Sequence, residues 1–348
     1  MAAYISFQPT DFFNTKLYTG TASQQAITGV GFQPDFTWIK RREVNWHCLV
    51  DAVRGATKRL SSNVNNAEVT DATAVESLDT DGFTVGIDSN GYTNQSGGTY
   101  ASWNWKMGTT TGIGGSPSIT PSGYSFNQTS GVSAVTYTGN QTDGDSIPHG
   151  LGKIPTMLIV KQLGGASNWM MYHVGMGGPS KYIELNTTGA SGGSFEIWNN
   201  TIPTTTVWES DNDTNVNGSG QTYVCYAFTD IRGFSKMGKY TGNGDADGPM
   251  VYTGFRPAFV MCKRAIGGAS DWELMDNKRE GYNSANYQLY PNEANSEGSN
   301  SDWINLLSNG FKITTTDSGF NINGDTYIYA AFAEFPFVSS NSKPGTAR

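Results

Sequence analysis

Three stretches of the chain share one pattern of apolar and polar positions. Each begins with glycine, has a proline within the next few residues, continues as a run of apolar or β-branched residues, and ends in lysine. The stretches are residues 31–40, 152–161 and 254–263. This pattern predicts a turn that leads into a strand. Because the apolar run is nearly continuous, we expect both faces of the strand to be covered, as in the middle of a packed sandwich.

Three further markers accompany these strands in the same order. They are a Tyr-Thr-Gly before the strand, a tryptophan behind a small polar residue after it, and a polar Gly-rich turn that precedes an aromatic strand. In order, these are residues 18–20, 137–139 and 240–242; Trp46, Trp169 and Trp272; and residues 96–100, 219–223 and 323–327. All four markers move together by nearly constant steps along the chain. Such self-similarity predicts three tandem units.

The repeats set the predicted domain boundaries. These are 1–16 for an N-terminal attachment peptide or edge strand, 17–108 for the first β-sandwich repeat, 109–131 for a Gly/Ser/Thr/Pro linker, 132–232 for the second repeat, 237–337 for the third, and 338–348 for a polar C-terminal tail. Of the 348 residues, 43 are glycine, while 12% are aromatic and only 15% are charged. This composition is typical of short strands joined by many turns. The predicted fold class is all-β, with three tandem antiparallel β-sandwiches.

The last strand of each unit shows alternation with a shared apolar face. Residues of this face are Ala101, Trp103 and Trp105 in the first unit, Val224, Tyr226 and Phe228 in the second, and Ile328, Ala330 and Phe332 in the third. The final position is aromatic in every copy. We therefore expect Trp105, Phe228 and Phe332 to be buried at equivalent places, each as an anchor of its own sandwich core.

Charge and cysteine usage exclude several classes of protein. The net charge is −8 and no basic stripe is present, which argues against a nucleic-acid partner. The short basic run at residues 40–42 is expected to be solvated. No apolar run is long enough to cross a membrane, and no signal peptide is evident, so neither membrane insertion nor secretion is predicted. The cysteines Cys48, Cys225 and Cys262 are expected to be small buried hydrophobes in a reducing compartment.

Catalytic and metal signatures are weak. The three histidines occupy non-equivalent places in the repeats, and no metal, nucleophile or phosphate-loop motif occurs, so no enzyme activity and no cofactor is predicted. A glycosidase would need two positioned carboxylates, and the 30 acidic residues cannot be ranked from sequence. Asn243, Asp245 and Asp247 alternate as in a calcium loop. A plain Asp/Gly-rich hairpin is the favoured interpretation, and no metal is expected.

Two groups of aromatic residues are candidate binding sites. The N-terminal group, Tyr4, Phe7, Phe12 and Phe13, predicts either an edge strand or an attachment interface with another protein. The second group, in the third unit, is Trp272, Tyr282 and Trp303, beside the Asn/Ser-rich loop 290–302. Aromatic faces next to Asn and Asp side chains suit sugars. The alternative for Trp272 is a core position, because a tryptophan recurs there in the other units.

The chain as a whole resembles a known family. The resembling segments are residues 12–20, 29–40, 103–106, 240–244, 252–260, 333–337 and 346–348. They are similar to tandem-repeat virion proteins of tailed bacteriophages, many of them marine, in which each repeat resembles a concanavalin/laminin-G-like jelly roll. The resemblance covers nearly the whole chain. It implies a virion surface or tail-fibre role, a glycan-binding fold and no known catalytic residues.

The expected function is therefore that of a tail-fibre or receptor-binding component in host attachment. Its expected partners are other virion proteins, a host cell-surface glycan and further copies of the chain, with a trimer favoured. The expected location is the virion, after synthesis in the bacterial host cytoplasm. One alternative is a structural decoration of the phage head or tail without a receptor of its own. A glycan-cleaving tailspike is a further alternative.

Overall fold

The regular secondary structure consists almost entirely of antiparallel β-strands, and the expected all-β class is confirmed. The computed structural model describes residues 4–193, 197–279, 283, 285–299 and 302–338. Helical turns within these ranges are short: Pro9–Asp11, Val174–Met176 and Thr214–Asn217. No helix in the described ranges has the length and apolar character needed to span a bilayer.

The strands fall into three consecutive segments. The first segment, residues 13–105, contains β1 (Phe13–Thr19), β2 (Gln25–Thr28), β3 (Phe36–Arg41), β4 (His47–Asp51), β5 (Gly55–Leu60), β6 (Val69–Thr70), β7 (Ser77–Asp79), β8 (Gly82–Val85) and β9 (Thr99–Trp105). The second, residues 123–228, contains β10 (Gly123–Asn127), β11 (Val132–Thr138), β12 (Asp145–Pro148), β13 (Met157–Gln162), β14 (Met170–His173), β15 (Ile183–Glu184), β16 (Val207–Ser210) and β17 (Thr222–Phe228). The third, residues 235–336, contains β18 (Ser235–Thr241), β19 (Met250–Tyr252), β20 (Phe255–Ile266), β21 (Trp272–Asp276), β22 (Ile304–Leu307), β23 (Gly310–Ile313) and β24 (Thr326–Pro336).

The larger sheet of each segment contains four strands in a recurring order. These are β1-β9-β3-β4, β11-β17-β13-β14 and β18-β24-β20-β21. The first sheet continues into β5 and β6, while the second gains β10 at one edge and β15 at the other. A smaller sheet accompanies each: β2-β8-β7, β12-β16 and β19-β23-β22. Apolar side chains of the larger and smaller sheets pack together, which gives each segment an open sandwich with its own core.

Strand pairing also recurs residue by residue. Phe36 lies opposite Trp105 and Asp51, Met157 opposite Phe228 and His173, and Phe259 opposite Phe332 and Asp276. We call residues that hold the same place in this register matched residues. Trp105, Phe228 and Phe332 are matched in this sense.

These three matched aromatic residues meet at the centre of the molecule. The ring centroids of Trp105 and Phe228 are 6.4 Å apart, those of Trp105 and Phe332 are 5.5 Å apart, and those of Phe228 and Phe332 are 5.9 Å apart. Each side chain is at most 2% exposed. Burial at equivalent places is as expected, but the prediction of three separate core anchors is wrong, because the rings form one cluster shared by all segments.

The two faces of each last strand explain this difference. In β9, Tyr100 packs with Ile39 and Phe83 inside the first sandwich, whereas Trp103 and Trp105 point to the opposite side and join the central core. Both faces of β17 and β24 are rich in apolar residues, while in β9 the face of Tyr100 also carries the buried polar residues Ser102 and Asn104. Alternation in the sequence therefore separates the faces but does not tell which one meets a neighbouring segment.

The three segments are joined head to tail in a closed ring, and we call each contact between two segments a seam. Backbone hydrogen bonds connect Asn45 N to Ala294 O, Ser167 N to Asn65 O, and Ser270 N to Thr188 O, at 2.9, 2.9 and 3.0 Å. The first segment thus contacts the third, the second contacts the first, and the third contacts the second. Each segment uses two different surfaces, and the third seam closes the ring.

Parts of the predicted linker and tail differ from expectation. Within the linker 109–131, residues 123–127 form β10, which pairs with β11. Tyr124 and Phe126 are two residues apart and therefore share one face of this strand, and Phe126 is buried. Of the tail 338–348, only residue 338 lies within the described residues. The three cysteines are unpaired and buried, as predicted.

Candidate ligand-binding sites

Trp272 lies in a seam. It is 1% exposed, and its indole N–H donates to the backbone oxygen of Glu184 in the second segment at 3.0 Å. Trp169 of the second segment donates in the same way to Ser61 of the first, at 3.2 Å. Trp272 therefore offers no exposed face on which a sugar could stack. Its placement agrees with the core alternative.

In the first segment the residue matched to Trp272 is His47. His47 lies opposite Lys40 as Trp272 lies opposite Lys263. The ring of His47 also crosses a seam, because its Nε2 is 2.9 Å from the backbone oxygen of Tyr290. The sequence marker that equated Trp46 with Trp272 is therefore displaced by one residue. The loops between strands differ in length, so spacing alone does not fix the register.

Trp303 does not join Trp272 in one site. Trp303 is half-buried and stacks on Phe320, with ring centroids 5.4 Å apart. It packs against the core of the third sandwich, whereas Trp272 belongs to the central core. Tyr282 lies outside the described residues. The structure thus does not bring Trp272 and Trp303 to one surface.

The loop 290–302, expected to carry recognition, contributes to the seam between the third and first segments. Glu297 in this loop accepts from Arg42 of the first segment at 2.6 Å and from the buried Arg279 at 2.9 Å. Residues 300 and 301 are outside the described part of the loop. The ion pair between Glu297 and Arg42 therefore uses this loop to join the third segment to the first.

One of the four predicted attachment residues is part of the central core. Phe13 is 1% exposed, opens β1 and stacks on Phe332 with centroids 5.2 Å apart. The predicted boundary at residue 16 is wrong, because the pairing of β1 with β9 begins at Phe13. The edge-strand alternative holds for this part of the N-terminal segment.

The other three, Tyr4, Phe7 and Phe12, are half-buried against the chain itself. Phe7 contacts Phe234 edge-on at 5.5 Å between centroids. The Tyr4 hydroxyl donates to the backbone oxygen of Gly254 at 2.6 Å. These contacts place the N-terminal residues 4–12 over the junction between the second and third segments. Its contact with another subunit remains a prediction.

The calcium candidate lies in the loop that connects β18 to β19, which belong to different sheets, so the loop is not a hairpin. The side-chain oxygen of Asn243 accepts from Asp245 N at 3.0 Å, and that of Asp245 accepts from Asp247 N at 2.9 Å. The Lys312 ammonium lies 2.6 Å from Asp247. These partners are those of a polar turn that connects two sheets, and the expected hairpin pairing is not formed. Among the described residues, no three His, Cys, Asp or Glu side chains are grouped to hold a metal ion.

The three histidines and three cysteines are all buried. Burial lowers the pKa of His47 to about 3 and that of His149 and His173 to about 4. Each imidazole is within hydrogen-bonding distance of a backbone carbonyl. Burial likewise raises the pKa of all three cysteine thiols. None of these six groups is placed to exchange a proton with a substrate in solvent.

A polar groove, which we call the seam groove, lies between the first and third segments. Its deeper recess, about 120 Å³, is lined in part by Thr15 and Asn277. An open part of about 530 Å³ runs along β1 past Lys16 and Lys278. The hydroxyl of Thr15 and both amide atoms of Asn277 are buried without a hydrogen-bond partner. An unpaired buried polar group costs about 1–3 kcal/mol, so this recess is suited to a polar occupant.

The other two seams have apolar residues at the matched positions. Ala134 and Met237 match Thr15, and Ala52 and Val174 match Asn277. The local backbone is alike in the three segments. The N–H groups of Asn277, Ala52 and Val174 donate within their own segments to the backbone oxygens of Ala258, Asp35 and Thr156, at 2.9, 2.8 and 2.9 Å. The polar side chains are therefore a feature of one seam rather than of the repeated architecture.

The charges around the seam groove are unbalanced. Lys16 and Lys278 form no ion pair with any described carboxylate. Glu334 pairs with Arg256 at 3.0 Å. Asp81 accepts the amide N–H groups of Gly31 and Gly29, and these bonds, together with the charge of Lys16, lower its pKa. Two ammonium groups thus face the groove on a chain whose net charge is −8.

Sequence reasoning did not single out the seam groove. A signal was present, because the pair Thr15-Lys16 stands where the second segment has Ala134-Val135. Recognising this departure requires the register of β1, which the predicted boundary at residue 16 obscured.

Comparison of the sequence with family models matches residues 8–336 to a family described as "Domain of unknown function (DUF7483)". Because this match covers most of the chain, the protein belongs to that family. Searches of the curated proteins and of the solved structures found no significant match.

Proposed function

We propose that this member of the DUF7483 family is a bacteriophage virion surface protein, a tail-fibre or receptor-binding component for host attachment. We further propose that its three segments are tandem concanavalin/laminin-G-like jelly rolls. The observation that carries the proposal is the closed ring, in which matched residues build all three seams. Such a ring provides a rigid body that presents loops and grooves, which suits a recognition head.

The proposed ligand is a host cell-surface glycan. The seam groove supports this part of the proposal, because its unpaired hydroxyl and amide match the hydrogen-bonding needs of sugar hydroxyls. A binding role without catalysis is supported by the burial of the histidines and cysteines. The proposed partners also include other virion proteins.

The ring also bears on the expected trimer. In a trimeric fibre, three copies of a chain meet around one axis. Here, three segments of one chain meet around the cluster of Trp105, Phe228 and Phe332. We propose that one chain supplies the threefold arrangement by itself, so that no homotrimer is needed to complete it.

Labelling of intact phage particles tests the proposed function. Antibodies raised against the purified protein are bound to particles of a phage that encodes it and are located by electron microscopy. Label at the tail tip or fibres, together with reduced phage adsorption when purified protein is added to host cells, is the expected result. Label spread over the head lattice would identify a decoration protein instead. Release of reducing sugars from host polysaccharide would identify a tailspike.

A further inference from the structure

We propose that the seam groove binds a carboxylated sugar unit, such as a uronic or sialic acid residue within a larger glycan. This inference names the ligand class of the proposed receptor-binding function and rests on it. It is carried by the juxtaposition of unpaired buried polar atoms with two unpaired lysines at one seam of three.

The recess provides both donors and acceptors. The Thr15 hydroxyl can donate and accept, and the Asn277 amide has two donor hydrogens and an acceptor oxygen. Thr15 is 6% exposed and Asn277 is 2% exposed, and neither side chain makes a hydrogen bond to the described chain through these atoms. Sugar hydroxyls are themselves donors and acceptors, so they can supply partners of both kinds.

The rim selects for negative charge. Lys16 belongs to the first segment and Lys278 to the third, so a carboxylate in the groove would contact ammonium groups from both sides of the seam. The nearby carboxylates of Glu334 and Asp81 already have partners. A divalent cation would be repelled by the same lysines.

An apolar surface borders the same recess. Phe335 is 43% exposed and lines the recess, and the guanidinium of Arg256 lies 4.6 Å from its ring centroid. The exposed part of the ring can contact the C–H face of a pyranose. Hydroxyl partners, a cationic rim and an aromatic edge together suit an acidic sugar. An acidic peptide could pair its backbone N–H and C=O groups with the same buried atoms but has no pyranose face for the aromatic edge, so it is the comparison ligand that the titration includes.

Nuclear magnetic resonance titration of the full chain tests the inference. The probes are N-acetylneuraminic acid, glucuronic acid and galacturonic acid, with galactose and tetraglutamate as comparison ligands. We expect at least one acidic sugar to shift the amide resonances of Thr15, Asn277 and Lys278 with saturation. The double variant Lys16→Gln/Lys278→Gln should raise the dissociation constant about tenfold or more. The control variant Lys153→Gln/Lys239→Gln removes the same charge from two exposed lysines outside the groove, and it should leave the dissociation constant unchanged.

Four results would overturn the inference: no shift at these amides with any of the acidic sugars, equal binding of galactose, tighter binding of tetraglutamate, or equal weakening by the two double variants. Particle experiments separate this inference from the proposed function. Suppose that the protein is found at the tail and that particles carrying the Lys16→Gln/Lys278→Gln variant adsorb to cells like the parent. The groove is then not the receptor site, while the virion proposal stands. If acidic sugars bind in the groove but the protein is absent from particles, the virion proposal fails while the groove assignment stands.

Discussion

Asn277 is a residue at which binding and stability are expected to conflict. Its amide is buried and unpaired, whereas the matched residue in the first segment is Ala52. Since Asn277→Ala removes an uncompensated polar group and adopts a side chain found at the matched place, we expect the free energy of unfolding to stay constant or rise by about 1 kcal/mol. Urea denaturation measures this change. Destabilisation by more than about 1 kcal/mol would show that the amide has a structural partner.

Glu273 is expected to make stability depend on pH. It is buried in β21 and accepts a hydrogen bond from Gln288. Burial raises its pKa to about 8, above the ordinary value of 4.5. Because the folded state holds this proton more tightly than the unfolded state, the resulting stabilisation is complete below pH 4.5 and is lost as the pH rises through 8.

The comparison that isolates this effect is between the parent and Glu273→Gln. The variant keeps a neutral polar side chain at all pH values. We expect the parent to lose stability relative to the variant as the pH increases from 5 to 9, in urea titrations at matched ionic strength. A difference that stays constant over this range would mean that Glu273 ionises normally in the fold.

At the scale of elements, the sequence predicts where the strands lie better than it predicts which residues at their ends are buried. The apolar runs that end in lysine correspond to β3, β13 and β20, as expected. The lysine of the basic run 40–42 was expected to be solvated, yet Lys40 has no exposed surface, and its ammonium donates to the backbone oxygen of Glu43 at 3.0 Å. A lysine at a strand end looks the same in sequence whether water or a neighbouring loop receives its hydrogen bonds.

The location of the candidate site depends on contacts that local patterns do not encode. Thr15 and Asn277 are far apart in the chain and meet because the ring closes between the first and third segments. Alternation assigns Thr15 to one face of β1, but it does not reveal the partner of that face. The sequence markers therefore located the strands β3, β13 and β20, whereas locating the groove required the arrangement of the segments.

The N-terminal segment is expected to stabilise the chain. Tyr4, Phe7 and Phe12 cover Phe234 and Gly254 at the junction between the second and third segments. A chain that begins at residue 13 retains all of β1, and we expect its free energy of unfolding to fall by about 2–4 kcal/mol. A chain that begins at residue 16 also loses Phe13 from the central core and should be destabilised further. Equal stability of the parent and the chain that begins at residue 13 would assign these aromatic rings to an external partner alone.

On the scale of the whole molecule, closure of the ring predicts that the purified protein is a monomer in solution. The surfaces by which the segments contact one another are all occupied within one chain. We therefore expect light scattering after size-exclusion chromatography to give the mass of one chain, 37.5 kDa. A stable trimer would instead require a further interface outside the seams described here.

The shared core also predicts how the molecule unfolds. Trp105 contacts Phe228 of the second segment and both Phe259 and Phe332 of the third, so the loss of its ring weakens all three segments together. For Trp105→Ala we expect a loss of about 3–5 kcal/mol, with the parent and the variant each unfolding in one calorimetric transition. Leu60→Ala, at a position outside the aromatic triad, serves as a comparison for ordinary loss of core volume. If the segments were independent sandwiches, Trp105→Ala would split the calorimetric profile, because the first segment would melt early while the other two kept the transition temperature of the parent. That outcome would remove the central cluster as the element that unites the ring, and with it the argument that one chain replaces a trimer.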